Sequence, residues 1–148
     1  MAYHFPLDAV LRFRRSQEHS ERLKLEAIVS EHARTRALLD QVTRSFCESR
    51  RRFQQNLGDA VSGAELHFEA MLGKRAIARR ESLRVRLAEL DQRRSAQLQQ
   101  YLQARQKREI LENLRNRKLE VYRAEHSRTE QQELDDLFLM RSEFLAEE

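Results

Sequence analysis

From Leu7 onward, apolar residues return in alternating steps of three and four: Leu11, Leu25, Ile28, Leu39, Val42, Phe46 and Phe53 all lie on one helical stripe. Arg14, Glu18, Glu21, His32, Thr35 and Ser49 fill the intervening positions of that stripe. This is a heptad seam with polar interruptions, narrower than the apolar face of a globular helix, and it predicts a coiled coil. The interruption at 14–21 predicts a weak, frayable end to the first helix. Pro6, the only proline, stands where a helix can begin, because the first turn does not use the missing N–H. A second run holds Leu66, Phe68 and Leu72, then Ala76, Leu83, Leu87, Leu90, Leu98, Tyr101, Leu111 and Leu114. Val121, Tyr122, Leu134, Leu137 and Phe144 continue its periodicity.

Between the two runs lies Leu57-Gly58-Asp59-Ala60-Val61-Ser62-Gly63-Ala64-Glu65, with two of the three glycines. Glycine is unfavourable inside a helix and suits turns, so this pair reads as a break. Ser62 followed three residues later by Glu65 has the spacing of a capping box that starts a new helix. The pattern therefore predicts an all-α fold, an antiparallel two-helix coiled-coil hairpin with a longer C-terminal helix. Helix 1 is expected over about 7–57, a turn at 58–63 carried by Gly58, Ser62 and Gly63, and helix 2 over about 64–143, within a single coiled-coil domain spanning 1–148. Gly73 is a candidate kink near the start of helix 2.

A reversal centred near 60–61 pairs residues whose numbers total about 121, within a few residues. Leu11 then faces Leu111, Leu7 faces Leu114, Leu25 falls beside Leu98, Leu39 against Leu83, and Phe53 against Phe68. None of these coincidences was needed to place the turn. Helix 1 runs out of partners near Leu114, which leaves roughly 45 Å of helix 2, at 1.5 Å rise per residue, with no intramolecular cover. Val121, Leu134, Leu137, Phe138 and Phe144 lie on that overhang. An amphipathic helix without cover expects another protein.

Composition sharpens this picture. Hydrophobic residues make up 40% of the 148 residues and charged residues 35%, with no Trp, and mean hydropathy is −0.81. That is little apolar bulk for a central core, and it also describes disordered chains. The helix-period recurrence of Leu, Val, Ile and Phe favours extended helices instead. The single Cys47 has no internal disulfide partner and suits a reducing cytosol. No apolar run approaches the length of a membrane span, and MAYHFPLDAVLRFRR lacks a signal peptide's apolar core, so a soluble chain without membrane insertion is expected. Charge is uneven. Of a net +4, residues 130–148 carry seven acids against Arg141, while Lys74–Lys118 carries fourteen Lys/Arg against five acids. An acidic partner for the middle and a basic one for the C-terminal part would match that asymmetry, although solvated helix faces are also charged.

Catalytic chemistry finds little support. Gly58 and Gly63 are followed by Ala64-Glu65, not by the Lys-Ser/Thr of a phosphate-binding loop. His4, His19, His32, His67 and His126 have no metal-ligand spacing and read as surface or seam residues. Cys47 lies near Arg44 and Arg50–Arg52, which favours thiolate, but no base accompanies it. Asp135 and Asp136 are adjacent and point to different helix faces. No cofactor is expected, and a two-helix hairpin offers no closed pocket to exclude water. Arg79-Arg80, Arg93-Arg94, Arg105, Lys107 and Arg108 could track phosphates. Yet Tyr101 is the only aromatic between Lys74 and Lys118, and Glu81, Glu89, Asp91, Glu109 and Glu112 interleave with the bases. An ion-paired face or a contact for acidic protein fits better than nucleic acid.

The ends carry a resemblance. Phe5-Pro6-Leu7-Asp8-Ala9-Val10-Leu11-Arg12-Phe13-Arg14 resembles the Phe-x-Leu-x-x-Val-Leu opening of FliJ-type flagellar export proteins. Leu111-Glu112-Asn113-Leu114, Tyr122-Arg123-Ala124-Glu125 and Glu130-Gln131-Gln132-Glu133-Leu134-Asp135-Asp136 resemble that family's C-terminal signature, with Asp136 in place of Glu. The resemblance covers the whole chain in length and layout, with the middle matching as coiled coil. It implies a non-enzymatic component of the bacterial flagellar type III export apparatus, cytoplasmic and peripheral to the inner face of the cell membrane. Such a component is a stalk and chaperone escort that engages the hexameric export ATPase, the cytoplasmic domain of the export gate, and export chaperones. Phe68 and Leu72 fall where the family carries gate contacts, although with Phe53 they also fit core packing. Val121, Tyr122, Leu134, Asp135, Asp136 and Leu137 are the candidate ATPase-ring contacts. The equivalent stalk of a virulence type III secretion system and a basic coiled-coil scaffold for nucleic acid remain as alternatives.

Overall fold

Two proline-free stretches rich in strong helix formers become helices in the computed structural model: α1, Asp8–Asn56, and α2, Gly63–Ala146. The structure describes residues 3–56 and 61–146, with side chains as far as Arg141. Gly58 of the expected turn and the side chain of Phe144 lie outside the described residues. Both helix starts are set locally. Asp8 N–H donates to the Phe5 carbonyl at 3.1 Å and Leu11 N–H to the Leu7 carbonyl at 2.9 Å, with the Asp8 carboxylate in the first turn where the helix dipole favours it. At α2, Glu65 N–H donates to Ser62 Oγ at 3.3 Å, and Ser62 N–H donates back to Glu65 Oε2 at 2.9 Å. Those are the two reciprocal bonds of a capping box. Gly63 is the first residue of α2, and the helix continues unbroken through Gly73. The fold is an all-α antiparallel helical hairpin, with no strand among the described residues.

The chain divides into two compact units, Met1–Glu18 with Gln103–Glu148, and His19–Leu102. In the first, Phe5, Leu11 and Ala104 are buried, Leu11 completely. Arg14, Glu18, Arg108, Leu111 and Arg115 are half-buried along the same seam. The Tyr3 ring lies 5.4 Å from that of Tyr122, tilted by 47°. From Arg123 to Arg141 every residue is exposed.

In the second unit, Leu83, Leu87, Leu90 and Thr35 are buried. Glu21, Leu25, Ile28, His32, Leu39, Val42, Phe46, Ser49 and Phe53 of α1 are all half-buried. The heptad stripe read from α1 is therefore the packed stripe. Thr35 sits in it at little polar cost because its hydroxyl donates to the Glu31 carbonyl at 2.9 Å.

The seam of α2 departs from expectation. Leu98 is 42% exposed and Leu66 46%, while Gln97, Glu69, Gly73 and Arg80 take the seam positions with Ala76 and Tyr101. In the other unit, Leu7 and Leu114, expected to face each other, are both more than a third exposed. The physical reason lies in α1. Its polar seam residues Glu21 and Ser49 take polar partners in Gln97 and Glu69, while Arg80 and Gly73 stand against the Phe46 ring.

Candidate functional site

The polar interruption of α1 is bridged rather than frayed. In the first unit, Arg108 donates to Glu18 from Nε and to Glu112 from Nη1. Arg15 donates to the other oxygen of that carboxylate, Glu112 Oε1, from Nε at 3.0 Å and Nη2 at 2.9 Å. Arg108 and Glu18 are only 20% and 16% exposed. The hydrogen bond that Arg108 donates to Glu18 leads in raising its guanidinium above the ordinary value, against the effect of burial. Burial alone would raise the Glu112 carboxyl, but Arg15 and Arg108 together hold it below the usual glutamate range. In the second unit, Glu21 accepts from Lys24 at 2.7 Å and from the Gln97 amide at 2.5 Å, which lowers its carboxyl, Lys24 contributing most. Arg86 is held by Glu31 at 2.5 Å and Glu89 at 3.2 Å. These clusters bind the helices to each other. No group of three His, Cys, Asp or Glu that could hold a metal occurs among the described residues.

What is left for recognition is uncovered surface in each unit. In the first, Val121 is 57% exposed, and Leu134, Leu137, Phe138 and Met140 are 60% or more exposed. Asp135 and Asp136 are exposed between them. Tyr122 is half-buried against Tyr3 and lines a shallow hollow of about 360 Å³ with Pro6, Arg117, Lys118, Val121 and Glu125. Successive helical positions turn by about 100°, so Leu134, Leu137 and Phe138 share one face of α2 while Leu139 and Met140 point to other sides. The sequence assigned Val121, Tyr122, Leu134, Asp135, Asp136 and Leu137 to a single role, but Tyr122 sits in the packed part and the other five do not.

The second unit carries a groove of about 710 Å³ between α1 and α2. Leu38, Val42, Phe46, Phe53 and Leu72 supply apolar walls, and Ser45, Ser49, Ala70, Gly73 and Ala76 keep its floor low. A Cβ added at Gly73 would stand 3.7 Å from the Phe46 ring, and the Arg80 guanidinium lies 5.9 Å over the same ring. Phe68 is 62% exposed and, with Phe53, Val61 and Glu69, rims a neighbouring hollow of about 660 Å³. Sequence reasoning missed the groove. Its signal was the cluster of Ser, Ala and Gly at and beside the seam, where bulky residues were expected.

Geometry thus defines the class: an antiparallel helical hairpin, held by a polar-rich seam, with apolar side chains left uncovered in both units. The flagellar FliJ protein family matches residues 3–143, and the chain belongs to that family, whose members are flagellar export proteins. No curated protein and no solved structure matches it. No helix among the described residues is long and apolar enough to cross a membrane.

Proposed function

We propose that this chain is a non-catalytic stalk and chaperone escort of the flagellar type III export apparatus, linking the hexameric export ATPase to the cytoplasmic domain of the membrane export gate. The observation that carries this reading is the bare stretch of α2 beyond Tyr122, exposed at every residue to Arg141. Apolar side chains on several sides of one helix suit a partner that encloses it, as a ring does, better than one that covers a single face. On this reading Val121, Tyr122, Leu134, Asp135, Asp136 and Leu137 engage the ATPase ring. Phe68 and Leu72, at the other end of α2, engage the gate. Ser62 and Gly63 stand at the start of α2. The protein works in the cytoplasm, peripheral to the membrane through its partners, as one coiled-coil domain. It acts mechanically, biasing the gate toward transport as the ring hydrolyses ATP, which requires different contacts with two gate states.

The test is a binding measurement with the purified ATPase and gate domain of the same cell. Leu134→Glu with Leu137→Glu should abolish capture of the ATPase and leave the gate bound, while Phe68→Ala with Leu72→Ala should do the reverse. Wild-type chain that binds neither partner, or deletion that leaves export and motility unchanged, would overturn the reading.

A further inference from the structure

Beside its seam, the start of α2 carries a second stripe that α1 does not cover. Phe68, Met71, Leu72, Arg75 and Arg79 stand at i, i+3, i+4, i+7 and i+11, the spacing of one helical face. All five are exposed, while Glu69, Gly73, Ala76 and Arg80 of the same turns are half-buried in the seam. The stripe is apolar near the start of the helix and cationic beyond it. From Leu66 to Arg80 there are four Lys/Arg and a single acid, Glu69, which lies at the seam and accepts from Ser49 at 3.5 Å. Arg75 and Arg79 make no ion pair among the described residues. Arg84 and Arg86 in the next turns differ, being held by Glu81 and by Glu31 and Glu89.

We infer that this stripe rests on the surface of an anionic lipid bilayer. Phe68, Met71 and Leu72 enter the boundary between headgroups and acyl chains, and Arg75 and Arg79 meet lipid phosphates. The long arginine stems lie along the apolar zone while their heads stay in the charged plane. Exposed Lys74 and Arg50–Arg52 of the same unit add to the attraction, which weakens with salt. A nucleic acid would reward the arginines but gains nothing from Met71 and Leu72. It also finds only Phe68 for stacking on this part of the chain, because Phe46 and Phe53 are half-buried in the seam. An acidic protein needs cations at fixed places, whereas Arg75 and Arg79 have no partner to orient them and a fluid headgroup layer adapts to them. The stripe is far too short and too charged to span a bilayer, so the attachment is interfacial. It gives a direct lipid contact to a chain otherwise read as reaching the membrane through its partners alone.

The experiment sediments the full chain with vesicles of phosphatidylcholine alone and of equal parts phosphatidylcholine and phosphatidylglycerol, at low and high salt. Wild type should sediment with the anionic vesicles and not with the neutral ones, and salt should weaken the binding. Arg75→Gln with Arg79→Gln removes two charges from the stripe and should weaken binding about tenfold or more. Arg93→Gln with Arg94→Gln removes the same charge from an exposed pair further along α2 and should leave binding within about twofold of wild type. Phe68→Ser with Leu72→Ser keeps every charge and should also weaken binding about tenfold or more. All the replaced side chains are exposed, and unchanged far-UV circular dichroism checks the fold. The vesicles hold no protein, so the outcome does not depend on whether Phe68 and Leu72 also engage the gate. A wild type that ignores anionic vesicles, equal losses from the two arginine pairs, or full binding by the Phe68→Ser, Leu72→Ser chain would each overturn the proposal. The last of those results would mark a surface for a soluble polyanion, such as duplex DNA or an acidic protein.

Discussion

Arg108 shows how single residues hold a seam that is short of apolar side chains. It reaches both Glu18 and Glu112, and Arg15 completes the cluster on Glu112. These groups are mostly shielded, so removing the central cation takes from Glu18 its partner in the cluster and leaves Glu112 to Arg15 alone. Arg108→Ala should cost about 1–3 kcal/mol of stability, the range for an abandoned part-buried charge partner. Arg36 lies 3.9 Å from Asp40 with both side chains well exposed, and Arg36→Ala should cost about 0.5 kcal/mol or less. Urea unfolding of the two variants checks the difference, and equal losses would mean that the cluster carries no special weight. The same residues predict an acid sensitivity. Glu112 and Glu21 titrate lower in the folded chain than in the unfolded one. Their contribution is therefore complete above the ordinary glutamate value of 4.5 and is lost as pH falls through the lower folded values. Glu112→Gln should lower stability at neutral pH and flatten this acid loss, which thermal melts from pH 7 downward would read.

At the scale of the helices, starts and seams have separate causes and can be perturbed separately. The Ser62–Glu65 box satisfies first-turn donors of α2, and Ser62→Ala should cost about 1 kcal/mol. Gly73 sits inside α2 with ordinary space toward Phe46, so Gly73→Ala should gain roughly 0.5–1 kcal/mol from helix propensity. Opposite shifts in melting temperature check the pair, and a destabilised Gly73→Ala would mean that the groove floor cannot give. These elements also mark what the sequence made legible. The α1 stripe could be read because Leu11, Leu25, Leu39 and Phe46 announce it and the polar positions between them keep step. The α2 stripe could not be read as well. Its packed residues include Gly73, Arg80, Gln97 and Arg108, whose place follows from what α1 presents opposite them rather than from their own hydrophobicity. Leu66, Leu98 and Leu114 attract attention by type and stand half out of the seam. The interruption at 14–21 was misread for the same reason, since its partners Arg108, Glu112 and Gln97 lie 76 to 97 residues away in sequence.

At the scale of the whole molecule, α2 passes from helix packed along the seam to helix exposed at every residue from Arg123 to Arg141. Packing supplies most helical stability in proteins, and propagation from a formed helix requires no new nucleation. The part of α2 beyond Tyr122 therefore stays helical as a continuation of the packed part, yet opens without breaking any buried contact. Amide hydrogen exchange should follow that division. Protection near that of global unfolding is expected around Leu83–Leu90 and at Ala104, where side chains are buried. Protection should fall steeply past Tyr122 and reach the low values of fraying helix by Leu134. Removing residues 127–148 should then leave the melting temperature of the remainder unchanged, because no residue described there is buried. A lowered melting temperature, or strong exchange protection at Leu134–Met140 in dilute monomer, would show that this stretch is covered within its own chain. If it is not, its apolar side chains acquire protection only from a partner, and the slowing of exchange at Leu134–Met140 on adding the export ATPase identifies that partner.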